Sequence, residues 1–543
     1  MLRALAQNRG IALRSNRQAE AADQLAVELL EPLSIRLALA QLSAQATEAL
    51  AALLAAGGRM RAPQFARRFG QVRPVGPGRL EREAPWKEPA NPAEELWYAG
   101  LIYRAFAQDQ GGPGEFVFVP DDLLPLLPQA QAQRPLFSVE TVPAPPQGRG
   151  PESNLVEDLF AYLVYVQAHD VRPYADGRLG RRDLAALQQR LAVRDERRLA
   201  FLQHMARRLG FVVRQDGLLR LEATPVKRWL TASAARQTAL LQETWRDDPT
   251  WNDLCRVPGL ICDQEPVWQN DPLWTRRALL DLLARCPPDA WWSAPSFLSA
   301  VEKMNPDFQR PDGDYTSWYI RAAASGEYLS GFESWARVEG ALISDLLTGP
   351  LRWLDVMASV HQGSDWICRL TEAGARFLGL APPLPEEAPS PPIVVLPDFQ
   401  VIVPTPASLY TRFQLGRFAE LEAREPCTYR LTVGGLSRAL VHGVGVEQVL
   451  AFLRQASQDK LPANVAGQFR SWAGRYGQVD LQEVALLRVK SERVLRELSA
   501  LPETRSLISR VLSPTTALVR KQDLPRLRKE LRALGFLPPE NAA

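Results

Sequence analysis

Cysteine and histidine are the first candidates for metal binding or nucleophilic chemistry in this chain. The five cysteines are Cys255, Cys262, Cys286, Cys368 and Cys427. No two of them have the two-residue spacing with which neighbouring thiolates share a zinc ion. The four histidines lie far apart, so no helix carries the His-Glu-x-x-His pattern of a zinc peptidase. We therefore expect reduced, mostly buried thiols and no bound metal.

Lysine and glycine decide whether the chain can hold a nucleotide. A P-loop needs glycines whose backbone N–H groups surround the phosphates, followed by Lys and then Ser or Thr. Of the seven lysines only Lys490 precedes Ser or Thr, and residues 484–491 contain no glycine. The Gly-x-Gly-x-x-Gly and Gly-x-Ser-x-Gly patterns are also missing. The sequence predicts no enzyme and no cofactor.

Acidic residues offer one further candidate for a metal site. Asp307, Asp312 and Asp314 lie close together in the segment NPDFQRPDGDY. The segment lacks the regular ligand spacing and the terminal glutamate of a calcium loop. A solvated loop rich in proline and aspartate is the better interpretation.

Charge is distributed unevenly along the 543 residues. The net charge is only +3, yet residues 151–240 carry +5, residues 241–392 carry −10 and residues 393–543 carry +7. Residues 488–532 alone hold 12 basic and 5 acidic side chains. Such asymmetry favours a polyanionic partner for the two basic regions. The excess of arginine over lysine, 57 to 7, is also what a GC-rich genome would produce.

Twelve basic side chains in these regions are candidate contacts to nucleic-acid phosphates. The alternative is that they form a solvated protein surface. They are Arg181, Arg182, Arg194, Arg197, Arg198, Arg207 and Arg208 in the first basic region, and Arg520, Lys521, Arg526, Arg528 and Lys529 in the second.

Two proline-rich stretches, 129–151 and 381–392, divide the chain because proline fixes φ and removes a hydrogen-bond donor. The domains predicted around them are a helical segment over 1–45, winged-helix-like domains over 46–128, 152–240 and 241–380, and a small mixed α/β domain over 393–543.

A repeated order of helix, helix, helix and hairpin is the reason for predicting winged helices, which are relatives of the helix-turn-helix. It is clearest in residues 152–240, where Asp216-Gly217 is a strong hairpin signal. In the first domain we expect a helix over 91–106, and in the third we expect DYTSWYIRA (314–322) to continue a helical pattern.

Tryptophan is concentrated in the acidic region. Ten of the 14 tryptophans lie between Trp245 and Trp366. Large aromatic rings anchor both protein cores and interfaces, so core packing and a partner surface are both open interpretations. Base stacking is disfavoured because a segment of net charge −10 repels phosphate.

The last block resembles a known family. The run VVLPDFQVIVPTP and the segment that starts YRLTVGGLSRALVHG are similar to the XPB-type helicase N-terminal domain, which precedes the motor in a subunit of the eukaryotic transcription and repair factor. The resemblance covers about 393–537, and its specific parts are Pro397-Asp398-Phe399, Leu431-Thr432, Leu461-Pro462 and Trp472.

The sequence has no run of about 18 apolar residues and no leader-like pattern, so we expect a cytoplasmic protein. The resemblance implies a bacterial accessory protein that works near DNA in repair, transcription or helicase regulation. Because the chain lacks a helicase motor, helicase activity and catalytic residues are not carried over. We expect binding to the backbone of duplex or branched DNA, with a separate helicase or nuclease as a second partner and no membrane. The alternative is a protein-interaction scaffold that recruits a helicase or nuclease without binding DNA itself.

Overall fold

The computed structural model describes residues 1–109, 112–128, 137–145, 155–263, 268–383, 390–406, 408–476, 478 and 483–537. They belong to two compact units, Met1–Pro389 with Ser408–Phe413 and Ser390–Ala407 with Gln414–Ala543. Helices predominate, and the strands of the described residues form small antiparallel sheets. The predicted α+β, predominantly helical class is confirmed. The predicted linkers, 129–151 and 381–392, lie partly outside the described residues.

The amino-terminal part of the first unit consists of short helices around one three-stranded sheet. Its helices are α1 (Leu2–Asn8), α2 (Gln18–Leu29), α3 (Pro32–Gln41), α4 (Ala44–Ala55), α5 (Ala62–Phe69), α6 (Pro77–Glu83) and α7 (Pro92–Tyr98). Its strands are β1 (Arg59–Arg61), β2 (Tyr103–Asp109) and β3 (Gly112–Phe118), in the sheet order β1-β3-β2. Leu53, Phe65 and Leu96 belong to the common core.

Local sequence explains most of these boundaries. Ser43 caps α4 by accepting the N–H of Ala46 at 3.1 Å. The pair Gly57-Gly58 in the sequence predicts the end of a helix, and both glycines, at positive φ, follow α4. The helix predicted over 91–106 is too long, because α7 ends at Tyr98 and Gly100, at φ +69°, leads the chain towards β2. A short apolar run does not by itself distinguish a helix from a strand.

The rest of the first unit is larger and holds the acidic region. Its helices are α8 (Leu155–Ala168), α9 (Arg181–Gln188), α10 (Glu196–Arg208), α11 (Ala223–Leu230), α12 (Ala234–Arg246), α13 (Pro272–Leu283), α14 (Ala294–Met304), α15 (Trp335–Thr348), α16 (Pro350–Trp353) and α17 (Glu372–Phe377). Its strands are β4 (Thr141–Val142), β5 (Val212–Gln215), β6 (Leu218–Leu221), β7 (Leu260–Cys262), β8 (Trp291–Ser293), β9 (Ile320–Ala322), β10 (Met357–Gln362) and β11 (Asp365–Leu370). They form the sheets β5-β6, β7-β9 and β10-β11-β8-β4.

Two sequence predictions for this part have different outcomes. The hairpin at Asp216-Gly217 is confirmed, since both residues have positive φ between β5 and β6. The helical pattern predicted over 314–322 is wrong, because this segment is irregular and then enters β9. The described part of the first predicted linker also contributes a strand, β4, which pairs with β8.

One hydrophobic core runs through the predicted second and third domains. It includes side chains from Leu155 in α8 to Leu370 in β11, among them residues of α10, α12, α13 and α15, and also Leu409 and Phe413. The predicted boundary at 240–241 falls inside α12. The described residues of the second and third predicted domains therefore share one core.

A buried arginine organises the connection after α12. The Arg276 side chain is fully buried; it pairs with Asp253 at 2.7 Å and donates to the carbonyl oxygens of Trp245 and Asp248, each at 2.6 Å. A buried cation needs this many acceptors to offset its desolvation. The irregular segment after α12 is thus fixed by the first turns of α13.

The second unit contains two small sheets with helices beside each. Its elements are β12 (Val394–Val395), β13 (Gln400–Ile402), α18 (Leu409–Phe418, which begins in the first unit), β14 (Ala419–Arg424), β15 (Cys427–Leu431), α19 (Val433–Val441), α20 (Val446–Ala456), α21 (Ala463–Gly474), β16 (Val484–Arg488), α22 (Glu492–Ala500), α23 (Pro502–Arg505), β17 (Ile508–Ser513), β18 (Thr516–Arg520) and α24 (Leu524–Ala533). The sheet orders are β12-β13-β15-β14 and β16-β18-β17.

The sequence predicted much of the first of these sheets. The sequence predicts a strand pair in 393–404 and a strand over 428–432, and these are present as β12, β13 and β15. It also predicts that Thr432 caps the next helix, and Thr432 accepts the N–H of Gly435 at 3.0 Å at the start of α19. A helix predicted from Pro406 to Leu421 is too long, because α18 ends at Phe418 and β14 begins at Ala419. No helix is predicted at α22 and α23.

Within the described residues, no single helix is both long and apolar enough to cross a membrane. The helices α19 and α20 satisfy those criteria only when they are counted as one segment, and the chain bends by 117° between them.

Asp355, between α16 and β10, gives a testable pH dependence. Burial raises its pKa from 3.8 to about 6, and nearby Arg376 acts in the opposite direction. The folded state therefore binds this proton more tightly than the unfolded state, and stability falls as pH rises from about 4 to 6. Asp355→Asn should raise the free energy of unfolding by about 1–3 kcal/mol at pH 7 and leave it unchanged near pH 3 to 4.

Urea unfolding of both proteins between pH 4 and 7 would measure this difference. Asp365→Asn removes an exposed carboxylate from β11 and should change the unfolding free energy by less than about 0.5 kcal/mol. An Asp355→Asn effect that is the same at every pH would contradict the interpretation.

Candidate nucleic-acid interface

Helix α10 is the third helix of the predicted second winged helix, the position from which such a fold would read a DNA groove. Asp195 caps it by accepting the N–H of Arg197 at 2.8 Å. Its side chains Leu199, Phe201 and Leu202 are buried, as are Met205 and Ala206. A helix covered over so much of its surface cannot enter a groove without unpacking the core.

Arg198 is inside this core. Only 2% of the residue is exposed, and its Nε donates to Asp158 Oδ2 at 2.8 Å. Asp158 also accepts the N–H of Ala192 at 2.8 Å. The prediction of a phosphate contact is wrong for Arg198, because its charge is already neutralised and shielded from solvent.

Arg197 is partly exposed but has a protein partner. Its Nη2 lies 2.8 and 2.7 Å from the two carboxylate oxygens of Asp345 in α15, and 3.1 Å from the carbonyl oxygen of Arg256. Burial raises the pKa of Asp345, and the hydrogen bonds from Arg197 act in the opposite direction. Arg197 thus serves to neutralise a shielded carboxylate and joins α10 to α15.

Arg208, in the last turn of α10, is partly exposed and partly engaged by a carboxylate. Its Nε lies 3.5 Å from Asp248 Oδ1, and 47% of its side chain is exposed. Asp248 also interacts with His204 and accepts the hydroxyl of Thr250 at 2.6 Å. Burial disfavours the charge of Asp248, but these hydrogen bonds outweigh it and keep the pKa below its usual value. Arg208 can still reach solvent.

The other predicted residues of this region are exposed: Arg181, Arg182, Arg194 and Arg207. Arg181 and Arg182 occupy the first turn of α9. Cations are unfavourable at a helix amino terminus, because the macrodipole is positive there. Arg181 and Arg182 thus concentrate positive charge at a position where they do not stabilise the helix.

The second predicted set lies around α24. Leu527 and Leu531 face the core, while Arg526, Arg528 and Lys529 are exposed. Arg520 pairs with Asp523 at 2.7 Å and Lys521 with Glu483 at 2.6 Å, both near the surface. Surface pairs of this kind are weak and exchange readily with other anions.

An open cleft of about 440 Å³ runs along the outer side of α24. It is lined by Lys521, Leu524, Pro525, Arg528, Lys529 and Arg532. Arg532, four residues after Arg528, was missed by the sequence prediction although the helical spacing places it on the same face. We call Arg528, Lys529 and Arg532 the α24 stripe.

The acidic loop near Asp307 is part of the fold. Asp307 is buried and accepts from Arg67 at 2.7 Å, from Gln64 at 2.8 Å and from the hydroxyl of Tyr315 at 2.8 Å. The expectation of a solvated loop is therefore wrong for Asp307. Among the described residues no cluster of histidine, cysteine and carboxylate side chains has the geometry of a metal site.

The ten tryptophans of the acidic region are all buried or half-buried. Trp245 and Trp292 are fully enclosed, and Trp268 stacks on Trp318 with ring centroids 4.9 Å apart. Their rings thus fill the core, and they form no exposed aromatic patch.

The residues that carry the resemblance have structural contacts. Phe399 packs on Trp472 with ring centroids 5.5 Å apart, and Asn464 donates to the carbonyl oxygen of Pro397 at 2.8 Å. These contacts join the β12–β13 turn to α21. The ring contact depends on the side chains of Phe399 and Trp472, whereas the hydrogen bond to Pro397 uses only its backbone.

Residues 393–513 match the family of helicase conserved C-terminal domains. The match covers less than a quarter of the chain and coincides with the sheet β12-β13-β15-β14, its helices and the following β16 to β17. This part of the chain is thus helicase-related. Among curated proteins, none matches the chain.

The Arg198–Asp158 pair gives a second prediction. Arg198→Ala would leave Asp158 buried without its partner and should lower the free energy of unfolding by about 3–5 kcal/mol. Arg207→Ala, on the exposed side of the same helix, should change it by less than about 0.5 kcal/mol.

Urea unfolding followed by circular dichroism would measure both variants. If Arg198→Ala kept the stability of the parent protein but lost affinity for DNA, the structural role of Arg198 would be refuted.

Proposed function

We propose that the protein is a non-enzymatic, helicase-associated accessory protein that binds the backbone of duplex or branched DNA through exposed basic surfaces. The first group of basic residues, which we call the α9 surface, consists of Arg181 and Arg182 at the start of α9 with Arg194 and Arg207 near the two ends of α10. The second is the α24 stripe with its neighbours Arg526, Arg520 and Lys521. We also propose that it acts in DNA repair, transcription or helicase regulation and that it is related to the XPB-type N-terminal domain. A separate helicase or nuclease would supply the catalytic activity.

The α24 stripe is the observation that carries the proposal. Helix α24 places its basic side chains on the side opposite Leu527 and Leu531, along an open cleft. Arginine and lysine in such a row can each meet a phosphate of one strand. Because the region 488–532 has a large excess of basic residues, its field also attracts a polyanion from a distance.

The α9 surface supports the proposal independently. Arg181 and Arg182 lie at a helix amino terminus, where backbone N–H groups and side chains together favour a phosphate. Arg194 and Arg207, also exposed, belong to the same predicted winged helix. The burial of α10 argues for contacts to the backbone and against reading of base edges by that helix.

Salt dependence would test the α24 stripe directly. Replacing the three residues of the stripe, Arg528, Lys529 and Arg532, by Gln should lower the affinity for duplex DNA. It should also reduce the slope of log K against log salt by about 2–3, since each phosphate contact contributes about 0.9. Fluorescence anisotropy with duplex, fork and single-stranded probes between about 50 and 200 mM salt would measure both quantities.

A matched control is the triple replacement of Lys460, Arg475 and Arg493 by Gln, which removes the same charge from exposed positions of the same unit. An equal loss of affinity in both triple variants would mean that only net charge matters. A parent protein with no salt-sensitive binding to any probe would refute the DNA proposal.

A protein-interaction scaffold is the second candidate, and one surface favours it. The outer face of the sheet β16-β18-β17 exposes Val484 and Leu486, and Leu486 is the cross-strand neighbour of half-buried Leu518. Exposed aliphatic side chains grouped on a strand face are typical of protein contacts. This surface could recruit a helicase or nuclease without DNA.

Affinity purification from nuclease-treated native extract would test this second candidate. A stoichiometric partner that is lost with Leu486→Asp, but kept with Val441→Asp at an exposed site on α19, would support the scaffold. Recovery of the same partner with both variants would exclude this face.

A further inference from the structure

Two of the five cysteines lie side by side in the fold. Cys255 is in a 3₁₀ helix, Leu254–Arg256, and Cys262 ends β7. The chain reverses between them, with Gly259 at φ +86° and the N–H of Leu260 bonded to the carbonyl oxygen of Val257 at 3.2 Å. The 3₁₀ helix and β7 pack directly against each other, which brings the two thiols close enough to affect each other's pKa. Their separation of seven positions is not a metal-ligand spacing, so the pair could not be recognised from the spacing of the cysteines.

The environment makes the two thiols unequal. Interaction with the thiol of Cys262 lowers the pKa of Cys255, and the charge of Arg256 acts in the same direction, while burial opposes both. The same interaction, together with burial, raises the pKa of Cys262. Cys255 is therefore the better nucleophile, because a thiolate reacts and a thiol does not. Both side chains are only half-buried, so a small reagent can reach them.

We propose that Cys255 and Cys262 are a redox modification site, at which a hydroperoxide closes a reversible disulfide. The Cys255 thiolate attacks one peroxide oxygen, the O–O bond breaks, and the leaving oxygen takes up a proton. The resulting sulfenic acid is attacked by the sulfur of Cys262, which loses its proton as the S–O bond breaks and water leaves. With hydrogen peroxide, two thiols give one disulfide and two waters, so electrons and protons balance.

The first unit contains a second pair of cysteines, which is buried and serves as a comparison for Cys255 and Cys262. Cys286 and Cys368 influence each other electrostatically but are 3% and 0% exposed. Burial raises the pKa of each to about 12. Their thiols lie 3.9 Å from the carbonyl oxygen of Leu282 and 3.7 Å from the hydroxyl of Ser359. They stay protonated and out of reach, and this makes them an internal control.

A disulfide between Cys255 and Cys262 would restrain the segment that contacts Arg197 of α10. Arg256, next to Cys255, accepts a hydrogen bond from Arg197 through its carbonyl oxygen, and its guanidinium lies 4.6 Å from the ring centre of Trp251. A covalent bond to β7 would hold this 3₁₀ helix in place. The oxidised protein should therefore have a higher Tm than the reduced one.

Peptide mass spectrometry of the full chain tests the proposal. Trypsin cleaves after Arg256 and so separates Cys255, in peptide 247–256, from Cys262, in peptide 257–276. After treatment with hydrogen peroxide and alkylation, these two peptides should be found linked, and dithiothreitol should release them. Cys286 and Cys368 should be alkylated only after unfolding.

Three variants make the result decisive. Cys262→Ser should stop at a sulfenic acid on Cys255 that dimedone traps, Cys255→Ser should give neither product, and Cys427→Ser should behave as the parent protein. Circular dichroism would check that each variant is folded. Unlinked peptides in the oxidised parent protein, or equal oxidation of Cys286 and Cys368, would overturn the proposal.

Discussion

The structure of the first unit depends on the burial of α10 and on the ion pair that makes this burial possible. Helix α10 carries Arg197 and Arg198, and it can pack into the protein interior only if each guanidinium group pairs with a carboxylate. Asp158 in α8 and Asp345 in α15 fulfil this requirement from two sides. The helix that a winged helix would present to DNA is therefore the centre of a larger protein body.

This constraint explains the composition of the middle of the chain. Residues 241–392 are rich in acid and in tryptophan. Asp345 and Asp307 are shielded partners of Arg197 and Arg67, which lie outside this region, so two of its negative charges are neutralised by arginines from elsewhere in the first unit. The tryptophans fill the space among the helices. Part of the net charge of −10 is thus neutralised inside the protein, and only the remainder can repel a polyanion.

The sequence predicted elements whose signals are local. The hairpin at Asp216-Gly217 and the cap at Thr432 depend on a few neighbouring residues, and both are present. The predictions failed where the outcome depends on distant partners. No periodicity could tell that Arg198 would meet Asp158, forty positions away, while Arg207 on the same helix stayed in solvent. The site around α24 is different, because the charge excess and the helical spacing from Arg528 together indicate Arg532 without any distant contact.

The contact between Arg67 and Asp307 links residues that are 240 positions apart in the chain. Asp307 is only 5% exposed; Arg67 is the cation that pairs with it, and the hydroxyl of Tyr315 donates a hydrogen bond to it. Any lineage that loses Arg67 must therefore also replace Asp307 or lose the fold of its loop. These two positions are expected to change together in evolution, and cutting the chain between residues 128 and 155 to isolate the middle region would leave an unpaired carboxylate in its interior.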